Sequence, residues 1–219
     1  MDHGSLLDWS LARELWEAQT APPYKTSQMR EADIAEVVAG IRSWYPDVQV
    51  GMESAHLQPD FWLEKTTLVG FPNRLILPLT IHHATDGIIG MITYEQEPLA
   101  LSITCRLGVL APAHRSGGLA LGGPVLLEKI GAAIGAEMAF YYATLKSKHQ
   151  QVIAQRTGYR LVGIVPGYDR DMIAPGTTMR VYEALYSKLL VSEDKVMVPD
   201  AKTLTADTRA VFDVLFGRK

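Results

Sequence analysis

The sequence predicts an α/β protein with a mixed, mostly antiparallel central sheet flanked by helices, and two patterns carry this prediction. Strand-like and helix-like segments follow one another as strand, helix, helix, three strands, helix, strand, helix and two strands. The three consecutive strands are separated only by turn residues, which is typical of an antiparallel meander. The chain has 219 residues, 47% of them hydrophobic and 21% charged, so it can form one large domain with a packed core.

The N-terminal elements are bounded by prolines. Apolar residues at helical spacing predict a helix over residues 5–16, which ends before the Pro22-Pro23 pair because proline has no amide hydrogen to donate. A strand is predicted over residues 24–30 and an amphipathic helix over 34–41. A short helix is expected to start near Pro59, since proline is well tolerated in the first turn of a helix.

The later elements are recognised from apolar runs and from turn or capping residues between them. An apolar helix around residues 126–134 is compatible with Pro124 only if this proline falls in the first turn. A closing helix is expected after Thr205, a candidate N-cap. The remaining predicted elements are strands over 75–83, 87–96, 99–110, 138–145, 161–165 and 179–185, and a helix over 149–157.

These patterns divide the chain into three parts. We expect a helical N-terminal extension over residues 1–23, a core over 24–190 and a C-terminal extension over 191–219. The tryptophans at positions 9, 16, 44 and 62 all lie in the N-terminal helical regions, where packing is the favoured role and the wall of an acceptor pocket the alternative.

Charge and cysteine content narrow the function classes. The net charge is −3, from 21 basic and 24 acidic residues, which leaves no excess of positive charge for a nucleic acid or an anionic membrane. The single cysteine, Cys105, excludes an intramolecular disulfide and a multi-cysteine metal site. The first residues show neither a basic nor an apolar leader pattern, and we expect a soluble, cytoplasmic protein without nucleic-acid or membrane partners.

The segment most informative about chemistry runs from Leu110 to Ala120. It passes from a predicted strand through a glycine-rich turn into a helix, so unpaired backbone amides at the helix start can hold an anion such as phosphate. A Walker loop is excluded because Gly122-Gly123 is followed by Pro124, and the spacing of the glycines does not match a dinucleotide-binding fingerprint.

The residues Arg115-Ser116-Gly117-Gly118-Leu119-Ala120, preceded by Leu110-Ala111-Pro112, resemble the pyrophosphate loop of the GNAT superfamily of acyl-CoA N-acyltransferases. The motif of that family is an apolar residue followed by x-Pro-x-x-Arg-x-x-Gly-x-Gly/Ala. Residues 30–33 and 157–163 resemble the start and the end of the family's core, so the similarity covers roughly 24–185.

The resemblance implies a GNAT-like fold that transfers an acetyl or other short acyl group from acyl-CoA to a primary amine by direct attack. Acyl-CoA is then the co-substrate, no metal is needed, and the acceptor is a small-molecule or peptide amine. The strand around Leu110 would pair with the pantetheine arm, and one of its amides would polarise the thioester carbonyl. The implied CoA-binding residues are Leu110, Arg115, Ser116, Gly117, Gly118, Leu119, Ala120 and Ser147.

Catalytic residues are harder to assign from the sequence. Glu95 and Glu97 lie near the position where the family often places a general base, although a solvated hairpin turn is the favoured explanation for both. The family frequently protonates the thiolate with a Tyr where this chain has Ala154, so Tyr142 is our candidate acid. Tyr141, Tyr159, a water molecule or unassisted departure of the thiolate are the alternatives.

Three side chains of the segment after the fifth strand have further expected roles. Ser147 is expected to cap the following helix in place of the family's Asn, and Lys146 and Lys148 either reach the CoA phosphates or solvate a turn. The ends of the chain could form a homodimer surface or close the acceptor site.

Other functions stay open at this point. A non-catalytic acyl-CoA-binding regulatory module on the same fold would also account for the missing Tyr at position 154. The loop could instead serve an enzyme that binds another phosphorylated ligand. An acyl-enzyme route through Cys105 is disfavoured, because its apolar neighbours predict a buried structural thiol.

Overall fold

A seven-stranded sheet organises the chain. The structure is a computed structural model that describes residues 5–18, 20–116 and 118–217. The helices and strands of these residues are α1 Arg13–Glu17, β1 Tyr24–Gln28, α2 Ile34–Trp44, α3 Pro59–Lys65, β2 Ile76–His83, β3 Gly87–Glu97, β4 Ser102–Leu110, α4 Gly122–Ile134, β5 Met138–Thr144, α5 His149–Arg156, β6 Arg160–Ala174, β7 Thr177–Leu189 and α6 Ala206–Phe216.

The strands are ordered β1-β2-β3-β4-β5-β7-β6, and every neighbouring pair is antiparallel except β4 and β5. This confirms the predicted mixed, mostly antiparallel sheet with flanking helices, and the predicted meander is β2-β3-β4. A parallel pair needs a crossover connection, which α4 provides between β4 and β5.

The parallel pair separates partway along its length. The pairing of β4 with β5 covers only Ser102–Cys105 against Met138–Tyr141, whereas β4 continues to Leu110. Beyond Tyr141, β5 stays paired with β7. The sheet therefore opens between the C-terminal halves of β4 and β5, and a cavity lies at this opening.

Apolar side chains cover both faces of the sheet. One core joins the helix α4 to the N-terminal segment, with Trp9 and Trp16 almost fully buried. The other core joins α2 and α3 to the opposite face and contains the fully buried Trp62. The packing role predicted for these tryptophans is confirmed, and Trp44 is packed beside the second core.

Several local predictions are confirmed by the backbone. Pro59 is the first residue of α3, and Pro124 is the third residue of α4, where its missing N–H removes no helical hydrogen bond. Thr205 caps α6, because its side-chain oxygen accepts a hydrogen bond from the amide of Thr208. No helix in the described stretches has the length and apolar character needed to cross a bilayer.

Other local predictions need correction. The last two strands are far longer than 161–165 and 179–185, because register shifts in β6 at Leu161/Gly163, Val165/Asp169 and Met172/Ala174 accommodate glycine and proline within the ladder. The N-terminal helix is shorter than 5–16, since a 3-10 turn over Trp9–Ala12 precedes α1. Ser147 does not cap α5, which begins after Lys148 without a side-chain cap.

Candidate active site

The cavity at the opening between β4 and β5 has a volume of about 740 Å³, which is ample for a ligand larger than a simple metabolite. Its walls come from both separated strands, from the loop and first turn of α4, from the segment before α3, and from the β6–β7 hairpin. Segments that are distant in sequence therefore meet at one concave site.

One end of the cavity is lined by backbone. Among the predicted CoA-binding residues, those that line it are Leu110, Ser116, Gly118, Leu119 and Ala120. Gly118 has φ +83°, a left-handed conformation that favours glycine. The 3-10 turn Leu119–Leu121 leads directly into α4 and has no side-chain cap, so the amides at its start are available to an anion. Gly117 lies outside the described residues.

Arg115 does not line the cavity; it fixes the loop from outside. Its Nε donates to the carbonyl oxygen of Leu110 at 3.0 Å, and its Nη2 donates to the carbonyl oxygen of Trp44 at 2.5 Å. The guanidinium group thus ties the loop to the end of β4 and to the end of α2. Its geometry is that of a positioning residue.

Ser147 and its neighbouring lysine also lie away from the cavity wall. Ser147 is exposed, and its carbonyl oxygen accepts a hydrogen bond from Nε2 of Gln151 at 3.0 Å. Lys146 Nζ lies 2.7 Å from Asp171 and 3.1 Å from Asp47, so its charge is already balanced by two carboxylates.

The middle of the cavity is bordered by β4 after its pairing with β5 has ended. The pairing of β3 with β4 shifts in register between Ile92 and Tyr94 of β3. At this point the amide of Leu107 on β4 donates to Thr93 Oγ1 at 3.2 Å. Cys105 borders the cavity but is buried, and burial raises the pKa of its thiol to about 12. The thiolate needed for an acyl-enzyme route is therefore scarce at neutral pH.

The other end of the cavity is lined by carboxylates, of which Glu53, Asp169 and Glu183 are the most prominent. The segment that carries Glu53 is fixed to β6, because the amide of Met52 donates to Asp169 Oδ2 at 3.0 Å. Gly51 adjoins this contact with φ +83°, and a Cβ there would lie 2.2 Å from the carbonyl oxygen of Arg170. Only glycine allows this close approach.

Two of these carboxylates have strongly raised pKa values. Burial raises the pKa of Glu53 to about 7, while the nearby charge of Arg106 acts in the opposite direction. Burial also raises the pKa of Glu183 to about 7, and repulsion from Asp169 adds to this effect. A carboxylate that titrates near neutral pH is suited to general base catalysis.

Arg106 links the carboxylate end of the cavity to one of the predicted bases. Its Nε lies 3.3 Å from Glu53 Oε1, and its Nη1 lies 3.2 Å from Glu95 Oε2. Glu95 does not itself line the cavity, and Glu97 is exposed at the end of β3, also outside it. The structure thus brings Glu95 near the site through Arg106 and leaves Glu97 away from it.

Glu53 and Glu183 are the residues that sequence reasoning missed. Glu53 lies in a 3-10 turn with no motif around it, so no local signal marks it. Glu183 lies two residues from the buried Val181 on β7, and a glutamate on an apolar strand face is a signal that could have found it.

The tyrosines near the cavity have distinct partners. Tyr142 lines the cavity and stacks on Tyr168, with ring centroids 4.8 Å apart. Burial, with a hydrogen bond to Tyr142, raises the pKa of Tyr168 to about 12. Tyr141 also lines the cavity but donates its hydroxyl to Gln150, and Tyr159 donates to the carbonyl oxygen of Pro124 at 3.1 Å.

Replacing Glu53 by glutamine is expected to change how stability depends on pH. Between pH 4.5, the ordinary pKa, and about 7, the unfolded carboxyl loses its proton while the folded one retains it. The native state then binds more protons, so the wild-type free energy of unfolding falls as pH rises through this window. Glutamine removes this loss, on the order of 2 kcal/mol for a side chain that is 22% exposed.

Urea unfolding of the wild type and of Glu53→Gln at several pH values measures this effect. The difference between the two free energies should shift in favour of the variant as pH rises from about 4.5 to about 8. Glu193→Gln, at an exposed position, serves as the control. A difference that stays constant over this range would contradict the raised pKa.

The fold and the cavity can be compared with known proteins. No family model and no curated protein sequence matches the chain. Ribosomal-protein-S5-alanine acetyltransferase from Vibrio fischeri matches with a TM-score of 0.61 and 13% identity, over 78% of this chain and 94% of that one. A Chromobacterium violaceum structure described as one of the "probable acetyltransferases (GNAT family)" matches with a TM-score of 0.57 and 16% identity, over 80% and 91%.

A third solved structure is the Microcin C7 self-immunity acetyltransferase in complex with acetyl-CoA and AMP, with a TM-score of 0.59 and 14% identity, over 77% of this chain and 93% of that one. At these identities the similarity concerns the fold. The chain has the GNAT fold, and the fold expected from the loop residues is confirmed.

Proposed function

We propose that this protein is an acyl-CoA-dependent N-acyltransferase that moves an acetyl or other short acyl group to a primary amine by direct attack. One observation carries the proposal: a single cavity at the opening between β4 and β5 joins an anion-binding backbone loop to carboxylates with pKa values near 7. Such a cavity can hold a thioester and an amine together, and this proximity accounts for much of the rate gain.

The loop end of the cavity holds the acyl-CoA in this proposal. Backbone amides of Ser116 and of 118–120, at the start of the 3-10 turn that leads into α4, bind the pyrophosphate. Arg115 keeps this loop in place through its two carbonyl contacts. The unpaired edge of β4 near Leu110 accepts the pantetheine arm, and an amide there stabilises the developing oxyanion, an effect of about 3 kcal/mol.

The carboxylate end receives the amine. Glu183 is our proposed general base, because it lines the cavity and its pKa of about 7 suits the removal of a proton from an ammonium substrate near neutral pH. Glu53 is paired with Arg106, so we assign it to acceptor binding together with Asp169. Glu95 positions Arg106 from behind.

Tyr142 is our proposed acid for the leaving thiolate. It lines the cavity on β5 and is fixed by its stacking on Tyr168, whereas the hydroxyl of Tyr141 is held by Gln150. Glu97 has no role in this scheme, since it lies outside the cavity.

The charges around the cavity favour a cationic acceptor. Among the described residues that line it, four are carboxylates, Glu53, Asp169, Asp171 and Glu183, and two are arginines, Arg106 and Arg170. Asp171 is paired with Lys146 outside the cavity wall, which leaves a surplus of one carboxylate. An ammonium group is attracted to such a surface. One solved neighbour is named for an alanine of a ribosomal protein, and we propose a small-molecule or peptide amine for this chain.

Acetyl-CoA is expected to stabilise the protein, because a ligand that binds only the folded state at 100 times its Kd adds about 2.7 kcal/mol. Thermal unfolding with increasing acetyl-CoA measures this shift. Gly118→Val should abolish it, since the side chain projects from the proposed pyrophosphate loop and strains a left-handed residue.

Gly70→Val is the matched control for this experiment. Gly70 has nearly the same positive φ, +84°, with open space around it and no part in the cavity, so the variant carries similar strain but should retain the shift. Absence of a shift with acetyl-CoA, longer acyl-CoA and free CoA in the wild type would contradict the proposal.

A non-catalytic acyl-CoA-binding module remains the second candidate, because buried Ala154 stands where the family often has its acid. The two are separated by a screen of amines with acyl-CoA, in which free thiol and acylated products are detected. An enzyme releases CoA with at least one amine, whereas a module gives the thermal shift without turnover.

The location of this reaction is also proposed. The only cysteine is buried and reduced, as in proteins of a reducing compartment, and we place the enzyme in the cytoplasm.

Exposed apolar side chains of the C-terminal segment, such as Met197 and Val214, are the surface we propose for a homodimer.

A further inference from the structure

Two turns bring His83, Asp86 and His114 together beside the anion-binding loop but outside the cavity wall. His83 ends β2, Asp86 lies in the β2–β3 turn, and His114 ends a 3-10 turn over Pro112–His114. We propose that these three side chains form a binding site for a divalent transition metal such as Zn²⁺, with a water molecule as the fourth ligand.

The distances between the donor atoms suit such a site. Zn²⁺ binds nitrogen and oxygen at about 2.0–2.2 Å, so the corners of its tetrahedron lie about 3.4 Å apart. Asp86 Oδ2 lies 3.0 Å from His114 Nε2 and 3.4 Å from His83 Nδ1. All three donor atoms lie within 4.8 Å of one another, so small side-chain rotations complete the site.

The donors are also oriented by surrounding groups, as ligands of metal sites usually are. Thr85 Oγ1 donates to the other carboxylate oxygen of Asp86 at 2.6 Å, which leaves Oδ2 facing the histidines. The same hydroxyl lies 3.1 Å from His83 Nδ1, a contact that a bound ion would replace. The hydroxyl of Tyr24 lies 3.4 Å from His114 Nδ1, the nitrogen that is not a ligand. The imidazole rings of His83 and His114 lie 4.9 Å apart, both beside this carboxylate.

The donor set defines the class of metal. Two imidazoles and one carboxylate suit Zn²⁺, Co²⁺ and Ni²⁺ and are a poor match for Ca²⁺ or Mg²⁺, which prefer oxygen. The side chains of His83 and His114 are 19% and 11% exposed, and that of Asp86 is 49% exposed, so an ion can enter from solvent. Three protein ligands leave a position for water.

The location gives the ion a structural role. His114 is followed directly by Arg115 and Ser116, at the start of the proposed pyrophosphate loop. A metal ion shared with His83 and Asp86 would tie this loop to the β2–β3 turn. The site does not depend on the proposed acyl transfer, since none of its ligands lines the cavity.

The test is zinc titration of the full chain without an affinity tag, after treatment with a chelator, followed by calorimetry. We expect one Zn²⁺ per chain and a rise in the midpoint of thermal unfolding. Co²⁺ in place of Zn²⁺ should give the visible absorption of a tetrahedral complex, which a bound ion at scattered surface groups would not show.

Variants locate the ion. Tyr24→Phe removes only the hydroxyl beside His114 Nδ1 and should reduce the affinity for zinc by about 10–100-fold. His114→Ala and Asp86→Asn each remove a ligand and should reduce the affinity by more than this. His149→Ala is the matched control, because His149 is an exposed histidine outside the three-residue site. Asn has nearly the same shape as Asp, and residue 86 lies in an exposed turn, so Asp86→Asn should fold. This variant tests the zinc site if His114→Ala fails to fold.

Two results would overturn the proposal. One is the absence of stoichiometric binding of both Zn²⁺ and Co²⁺ to the wild type. The other is unchanged binding in folded Asp86→Asn, which would show that the ion lies elsewhere on the chain. Absence of an acetyl-CoA shift in the wild type would contradict the proposed function and leave the expected zinc binding unchanged, so the two proposals fail separately.

Discussion

Glu183→Gln is expected to lower kcat by about 10²–10⁴-fold, the usual contribution of a general base. Glutamine preserves the shape of the side chain but cannot accept the proton of the attacking ammonium group. The wild-type kcat/KM should rise with pH and level off above about 7, because Glu183 acts only when it is ionised. This rise should be absent in the variant.

Steady-state rates with the amine found in the acceptor screen measure both effects. Glu193→Gln makes the same chemical change at an exposed position outside the cavity and should keep the wild-type rate and pH profile. If Glu183→Gln retains the pH-dependent rise while Glu53→Gln loses it, the base is Glu53 and our assignment is wrong.

Trp9→Ala is expected to destabilise the protein by about 3–5 kcal/mol, as for other fully buried aromatic side chains. Trp9 is 2% exposed in the core that also contains Trp16, and its segment packs against α4. Its Nε1 donates to the carbonyl oxygen of Arg74 at 2.7 Å, so the variant also loses this hydrogen bond. An ordinary domain has a free energy of unfolding of about 5–15 kcal/mol, so this loss is a large share of it.

Urea unfolding gives the loss directly. Leu11→Ala is the matched control in the same 3-10 turn, because Leu11 is 66% exposed and its loss should change stability by no more than about 0.5 kcal/mol. A loss for Trp9→Ala as small as that of the control would mean that residues before 23 are a separate appendage, as the predicted boundary implies.

The predicted order of the elements agrees with the structure because the signals are local. Proline in the first turn of α3 and the Thr205 cap of α6 act within a few residues of their own position. The predicted strand 87–96, which has clear turns at both ends, agrees with β3 to within one residue. The predicted strand 161–165 is too short because Pro166 and Gly167 are strand breakers in isolation, whereas in the structure the partner strand pairs on both sides of the bulge between Val165 and Asp169.

The candidate site also has one part that the sequence predicts and one part that it does not. The anion-binding loop is continuous in the chain, so its glycines and the following helix were visible in the sequence. The role of Arg115 was not visible, since its contact with Trp44 joins residues 71 positions apart. The glycine pattern of a loop is set by neighbouring residues, whereas the direction of a side chain depends on residues far away in the sequence.

The sequence alone thus determined the class of fold and the loop at which acyl-CoA is proposed to bind, because periodicity, capping and glycine spacing operate over a few residues. Only the tertiary structure decided which carboxylates face the cavity and which histidines meet beside the anion-binding loop. Glu53 and Glu183 acquire pKa values near 7 through burial by remote segments, and His83 and His114 become neighbours through the packing of two turns. Burial and long-range proximity are properties of the folded chain as a whole, so no local pattern records them.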